Sequence, residues 1–148
     1  MSVRVPLLPA SIRWLAVVTV AAVIFYGSIL AIPPETVLDR ARPFALIPID
    51  KWRHFLAYGA FAYALAYATA DWDRNARSLA ALVVAVTVLY GVGIEFGQSL
   101  TPNRYFSVLD AYANVLGAAL VLPWYLLSRR VEFVPLGALL DSETGENV

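Results

Sequence analysis

The feature that most constrains this 148-residue chain is an apolar run from Ile12 to Ile32. At about 1.5 Å per residue, it can cross a bilayer core of about 30 Å as one helix. The apolar region of a cleaved signal peptide is shorter, about 7 to 15 residues, so the length favours a permanent span. With 60% hydrophobic and 15% charged residues, the whole chain is more apolar than a soluble domain. We therefore expect an integral membrane protein.

Three later segments are also apolar enough to cross the bilayer, which predicts an all-α membrane protein with a bundle of four transmembrane helices. The predicted spans are residues 12–32, 54–70, 79–97 and 108–127. Residues 1–130 are expected to form this domain, and 131–148 an interfacial stub followed by a disordered acidic tail. Gly93 and Gly97 form a GxxxG pattern, which favours close helix packing in lipid.

Polar side chains interrupt the apolar pattern within residues 91–117. An ionisable group at the bilayer centre costs about 2.5 to 3.5 kcal/mol on insertion scales, so such residues need partners and often mark a site. Glu95 and Gln98 are spaced i,i+3 and share one helix face. Asp110 and Asn114 are spaced i,i+4 and share a face of the next helix. The two polar stripes can therefore face each other.

The connectivity of four spans places the start of the second, the end of the third and the start of the fourth at one membrane face. The polar residues of all three stretches lie there, which predicts a polar pocket at that face. The residues expected in it are Asp50, Lys51, His54, Tyr58, Glu95, Gln98, Arg104, Ser107, Asp110 and Asn114.

Several of these residues also have structural interpretations. Asp50 could be the N-cap of the second helix, and Ser107 with Asp110 fits a capping box. Gln98 and Asn114 could form hydrogen bonds that hold helices together.

Around the second helix, Trp52 and Arg53 fit interface anchors, and Tyr58 fits packing. Glu95 and His54 are harder to explain structurally. Glu95 lies about 24 Å along the third span, below the solvated rim. His54 is the only histidine in the chain, and histidine suits proton transfer near neutral pH.

Two blocks of sequence carry a resemblance to a known family. The first is Asp50-Lys51-x-x-His54-Phe55-x-x-Tyr58. The second is Glu95-x-x-Gln98-x-x-x-Pro102-x-Arg104-x-x-Ser107-x-x-Asp110-x-x-x-Asn114-x-x-Gly117. Together they resemble the VanZ-like family of small membrane proteins. The resemblance implies a four-helix membrane bundle, a link to lipid-linked cell-envelope material, and action on lipid head groups in a membrane-embedded polar pocket.

The resemblance and the residue chemistry together predict roles for the site residues. Arginine offers a bidentate fork to phosphate and lysine a point charge, which suits an anionic lipid head group. The expected catalytic residues are His54, Glu95 and Asp110. The expected substrate-binding residues are Lys51, Arg104, Gln98 and Asn114. The expected supporting residues are Asp50, Tyr58 and Ser107.

In this interpretation His54 is a general base or phosphoryl acceptor that Asp50 or Glu95 orients, and Arg104 stabilises developing charge. The predicted activity is head-group or phosphoryl transfer, or hydrolysis, on a membrane lipid or lipid-linked precursor. A binding protein that shields a lipid carrier is the alternative hypothesis. A small transporter subunit ranks lower, because residues 115–127 are apolar throughout and offer no polar path.

No cofactor is predicted. A divalent metal held by His54, Glu95 and Asp110 is feasible for a hard ion. It ranks below a metal-free site because the sequence shows no recognisable ligand spacing.

Charge and cysteine content limit the remaining classes of function. Eleven basic and eleven acidic residues give zero net charge, so no nucleic-acid footprint is present. Cysteine is absent, which excludes disulfides and thiolate chemistry. Basic residues divide six to five between the two faces. Discounting Lys51, Arg53 and Arg104 as partners of the polar cluster leaves six against two, which predicts a multi-pass cell-membrane protein with both termini cytoplasmic and the pocket outside.

Overall fold

The computed structural model describes residues 3–31, 49–102, 105–128 and 131–138, with the backbone alone at positions 3, 49 and 50. The described chain is mostly helical, with two short strands near its ends. Its elements, in order, are β1 (Val3–Leu7), α1 (Ala10–Phe25) with a π-helical turn (Tyr26–Leu30), α2 (Ile49–Ala68), α3 (Ala76–Ser99), α4 (Val108–Ala119), α5 (Leu122–Leu127) and β2 (Val131–Pro135).

Three segments of the described chain are helical, long and apolar enough to cross a membrane: Ala10–Leu30, Ala76–Ser99 and Val108–Leu127. Large apolar side chains face outward on these segments while polar ones are buried. On α3, Leu89 is 70% exposed, whereas Glu95 is 0% exposed. In a soluble protein the polar side chains of a surface helix face outward and the apolar ones are buried, so this reversed pattern indicates a membrane protein.

Helix α2, predicted as a span, is not among these three candidates. Its first turns carry Lys51, Arg53 and His54, which lower its mean hydropathy. It is nevertheless central, because it packs against α1, α3 and α4. It begins at Ile49 rather than at His54, since Lys51 and His54 find polar partners on neighbouring helices and the helix can continue through them.

Helices α2 and α4 approach most closely at glycines. A Cβ atom on Gly117 would lie 2.4 Å from the Phe55 carbonyl oxygen, so only glycine fits there without displacing backbone. On α2, Gly59 lies against Gly117 in turn. Of the predicted GxxxG pair, a Cβ on Gly97 would lie 3.1 Å from Ile29 Cδ1, whereas a Cβ on Gly93 would meet no described residue of this chain within 4 Å.

The last span is interrupted between α4 and α5. Pro123 lies in the first turn of α5, where its missing N–H breaks no helical hydrogen bond. The Tyr63 hydroxyl donates to the Leu120 carbonyl over 2.8 Å and so satisfies an acceptor at the break. The hydrogen bond holds this junction against α2.

The two strands pair in parallel, from Val3 with Val131 to Leu7 with Pro135. Neither strand was predicted from the sequence, since each is a five-residue segment whose partner is remote along the chain. The predicted disordered tail falls mainly on residues 139–148, outside the described residues.

Next to the strands, Arg13 is 3% exposed and its guanidinium binds three other segments. It donates to the Leu8 carbonyl, to the last two carbonyls of α2 at Tyr67 and Ala68, and to both carboxylate oxygens of Asp71 at 2.9 and 2.6 Å. Arg13 therefore caps the end of α2 and fastens the following loop to α1. Lys51 was left out of the count of basic residues that predicts the topology, because it was expected to be paired. Arg13 is paired with Asp71, so the same reason applies to it.

Candidate functional site

The polar cluster lies at the opposite end of the bundle from Arg13, where α2, α3 and α4 each contribute one ionisable residue. His54, Glu95 and Asp110 each present one nitrogen or oxygen atom, and these three atoms lie within 4.8 Å of one another. His54 and Asp110 lie in the first turns of α2 and α4, and Glu95 lies in the last turns of α3. Helix packing brings the three residues together. The convergence expected from connectivity is present.

His54 is surrounded by oxygen atoms. Its Nδ1 lies 3.0 Å from Asn114 Oδ1 and 3.7 Å from Glu95 Oε1, and its Nε2 lies 3.8 Å from Asp110 Oδ1. The imidazole stacks on Tyr58 with ring centroids 6.3 Å apart. With the amide oxygen of Asn114 as acceptor, the proton of a neutral ring lies on Nδ1, and the Nε2 lone pair is available for chemistry.

Glu95 connects the end of α3 to the start of α4. Ser107 is the N-cap of α4, and its side-chain oxygen accepts from the Asp110 N–H over 3.2 Å, as half of a capping box does. In the other half, the N3 side chain would accept from the cap N–H. Here Glu95 Oε2 accepts from the Ser107 N–H at 3.4 Å instead. The side chain of Asp110 is therefore released from capping.

The released carboxylate of Asp110 binds the Lys51 ammonium, which donates to its Oδ1. Both side chains are mostly buried, at 19% and 14% exposed. Lys51 thus balances the charge of Asp110, and the pair joins the starts of α2 and α4.

Gln98 and Tyr58 are the remaining described residues of the predicted site. Gln98 donates from Nε2 to the Ser28 carbonyl in the π-helical turn over 3.1 Å, which ties α3 to α1. This bond agrees with the structural interpretation of Gln98. Tyr58 is 1% exposed, and its hydroxyl has no hydrogen-bond partner among the described residues.

Two predicted site residues fall outside the described side chains. Arg104 is not described, so its role stays a prediction. The side chain of Asp50 is likewise outside, although its backbone lies in the first turn of α2 rather than at the N-cap position before it.

A cavity of about 440 Å³ opens beside the cluster. His54, Asp110 and Gln98 lie on its wall together with Arg53, which was expected to be an interface anchor. The opposite wall belongs to α1 and the π-helical turn, and the residues there are Val23, Ile24, Gly27 and Ser28. One wall is therefore polar and the other mainly apolar. The contribution of Arg53 depends on where α1 packs, which the local sequence does not reveal.

Comparison with known proteins gives one result. No curated protein and no solved structure matches the chain. The model of the VanZ/LLP1 family matches residues 7–129. This range covers helices α1 to α5 and includes the whole polar cluster. This confirms the resemblance found in the two sequence blocks, and the chain belongs to the VanZ/LLP1 family.

Proposed function

We propose that this membrane protein acts on phosphate-containing lipid head groups or lipid-linked cell-envelope precursors, by head-group or phosphoryl transfer or by hydrolysis. The observation that carries the proposal is the position of the cluster formed by His54, Glu95 and Asp110, next to a cavity with one apolar wall. Three ionisable side chains at one point in an apolar bundle are costly, and such groups usually mark a functional site.

The proposal includes four membrane crossings, with α2 as the crossing not found among the candidate spans. Strands β1 and β2 pair directly, so the segments before α1 and after α5 lie at the same membrane face. Two ends at one face require an even number of crossings, and three spans alone would separate them. Helix α2 has 20 residues and is about 30 Å long, enough to cross the hydrocarbon core.

The two walls of the cavity suit the two parts of a lipid. Val23 is 65% exposed on α1, so the apolar wall continues onto the surface that faces the acyl chains of the bilayer. His54, Arg53 and Asp110 lie on the other wall, where a phosphate group would find a guanidinium fork. A lipid could therefore place its head group at the cluster while an acyl chain stays against α1.

Within this proposal His54 is the general base or phosphoryl acceptor. Asn114 holds its Nδ1, which directs Nε2 toward Asp110 and the cavity. Glu95, whose Oε1 lies 3.7 Å from Nδ1, orients the ring and provides a counter-charge when the ring accepts a proton. Lys51 and Arg104 are assigned to the anionic head group.

The test uses two glycines whose Cβ positions are both open. Gly27 lines the cavity, whereas Gly93 lies outside the cavity lining on α3, and a Cβ on either would meet none of the described residues within 4 Å. Gly27→Leu should fill the acyl wall and block the lipid, and Gly93→Leu should not. Lipid mass spectrometry of membranes containing each variant, the wild type or no protein measures the head-group composition.

A head-group change that requires the protein, disappears in Gly27→Leu and persists in Gly93→Leu supports the enzyme. Lipid that co-purifies with the wild type but is chemically unaltered selects the binding protein that shields a carrier. Equal lipid composition and equal co-purification in all samples would refute both.

A further inference from the structure

The polar cluster has the composition of a cation site. His54, Glu95 and Asp110 supply one nitrogen and two carboxylates from three different helices, and one candidate atom of each lies within 4.8 Å of the others. The sequence alone ranked a metal low because these residues show no ligand spacing along the chain. Tertiary packing supplies the proximity that the sequence spacing lacks.

A second observation points to a ligand at this place. Glu95 is 0% exposed, and its Oε1 has no hydrogen-bond partner among the described residues. The Nδ1 atom of His54 lies 3.7 Å from this oxygen, beyond a good hydrogen bond. A buried carboxylate oxygen without a partner is costly, and a bound cation would satisfy it.

We propose that His54, Glu95 and Asp110 bind a divalent first-row cation such as Mn²⁺ or Zn²⁺. Imidazole and carboxylate ligands suit these ions. The contact from His54 Nδ1 to Asn114 resembles the second hydrogen bond that usually orients a metal-binding histidine. Nε2 lies 3.8 Å from Asp110 Oδ1 and would be the ligand nitrogen, so a bound cation would take the place of the proton that His54 accepts in the proposed function.

Lys51 is a competitor built into this site. Its ammonium already donates to Asp110 Oδ1, so a cation and Lys51 would share or exchange the same carboxylate. Replacing the ammonium by a neutral amide in Lys51→Gln should therefore tighten cation binding.

The inference concerns the same site as the proposed function, and its link to lipid chemistry rests on that function. The cluster faces the cavity, so a bound cation would lie where a phosphate could reach it. Cation binding itself needs no lipid turnover, so a binding experiment separates failure of this inference from failure of the proposed activity.

The first experiment uses the wild-type protein and its single histidine. Protein purified in detergent, labelled with ¹⁵N-histidine and stripped of metal gives the ring signals of His54 without any assignment. Mn²⁺ should broaden these signals at one equivalent, and Zn²⁺ should shift one ring nitrogen. Ring signals unchanged by millimolar Mn²⁺ and Zn²⁺ would overturn the proposal.

The second experiment measures metal content and affinity in variants. Glu95→Gln and Asp110→Asn keep the side-chain shape and should each weaken binding by at least about tenfold. Asp73→Asn, in the exposed loop between α2 and α3, is the matched control and should bind as the wild type does. Wild-type affinity in Glu95→Gln would refute the site. Size-exclusion elution of each variant reports its folding, and the wild-type NMR experiment decides the question if a variant does not fold.

Discussion

Replacing Gly117 by alanine should separate α2 from α4 and disconnect the polar cluster. The new Cβ would lie 2.4 Å from the Phe55 carbonyl oxygen, whereas ordinary contact begins at 3.4 Å, so the backbones must move apart by about 1 Å. Asn114 is nearly one turn away on the same helix, and its 3.0 Å contact with His54 would lengthen to about 4 Å.

The expected cost follows from these two effects. Overpacking a tight interface costs about 1 to 3 kcal/mol, and one lost hydrogen bond about 0.5 to 1.5 kcal/mol. Gly117→Ala should therefore lower the free energy of unfolding by about 2 to 4 kcal/mol. Denaturation by SDS in mixed micelles, followed by circular dichroism, measures this quantity.

Gly93→Ala is the matched control, because its Cβ would lie more than 4 Å from every residue that the structure describes. Alanine is the better helix former by about 0.5 to 1 kcal/mol, so this variant should be as stable as the wild type or more stable. Equal stability of the Gly117 and Gly93 variants would refute the close approach of α2 and α4.

Three further predictions concern the site, the topology and the opposite end of the bundle. His54→Ala should abolish lipid turnover with little change in expression or elution; normal turnover per molecule would remove the proposed base. A cysteine at Asn75 should resist a membrane-impermeant reagent added outside, and one at Thr101 should react; the reverse would invert the topology. The Arg13 guanidinium holds the pKa of Asp71 below its usual range, so the stabilisation is complete above about pH 4 and is lost as the pH falls through the folded-state pKa. The Tm difference between wild type and Asp71→Asn should shrink below that pH, and a constant difference down to pH 2 would contradict the interaction.

The sequence predicted those features that depend on local pattern. Apolar runs of sufficient length located the helices, and the i,i+3 and i,i+4 spacings placed Glu95 and Asp110 on faces that could meet. Ser107 was predicted as a cap from its position three residues before Asp110, and it is one. The family followed from the same residues.

Features that depend on distances between segments were not predictable from local pattern. Glu95 completes the cap of a helix twelve positions further along the chain, a role set by the packing of α3 on α4. Arg13 lies near the start of the first predicted span, and no local pattern indicates that its long side chain reaches the end of α2 and Asp71. The strands were not predicted because each is short and its partner is remote along the chain.

The pairing of β1 with β2 also has a consequence for the order of assembly. Val3 is synthesised before the described helices α1 to α5, whereas its partner Val131 is synthesised only after them. Since chains fold from the N-terminus during synthesis, β1 must wait without its partner while the helices are inserted. Joining residues so far apart in sequence is also slow. Pairing of the two strands is therefore expected to be a late step. It can occur only when the helices between the strands have been inserted into the bilayer in the correct number.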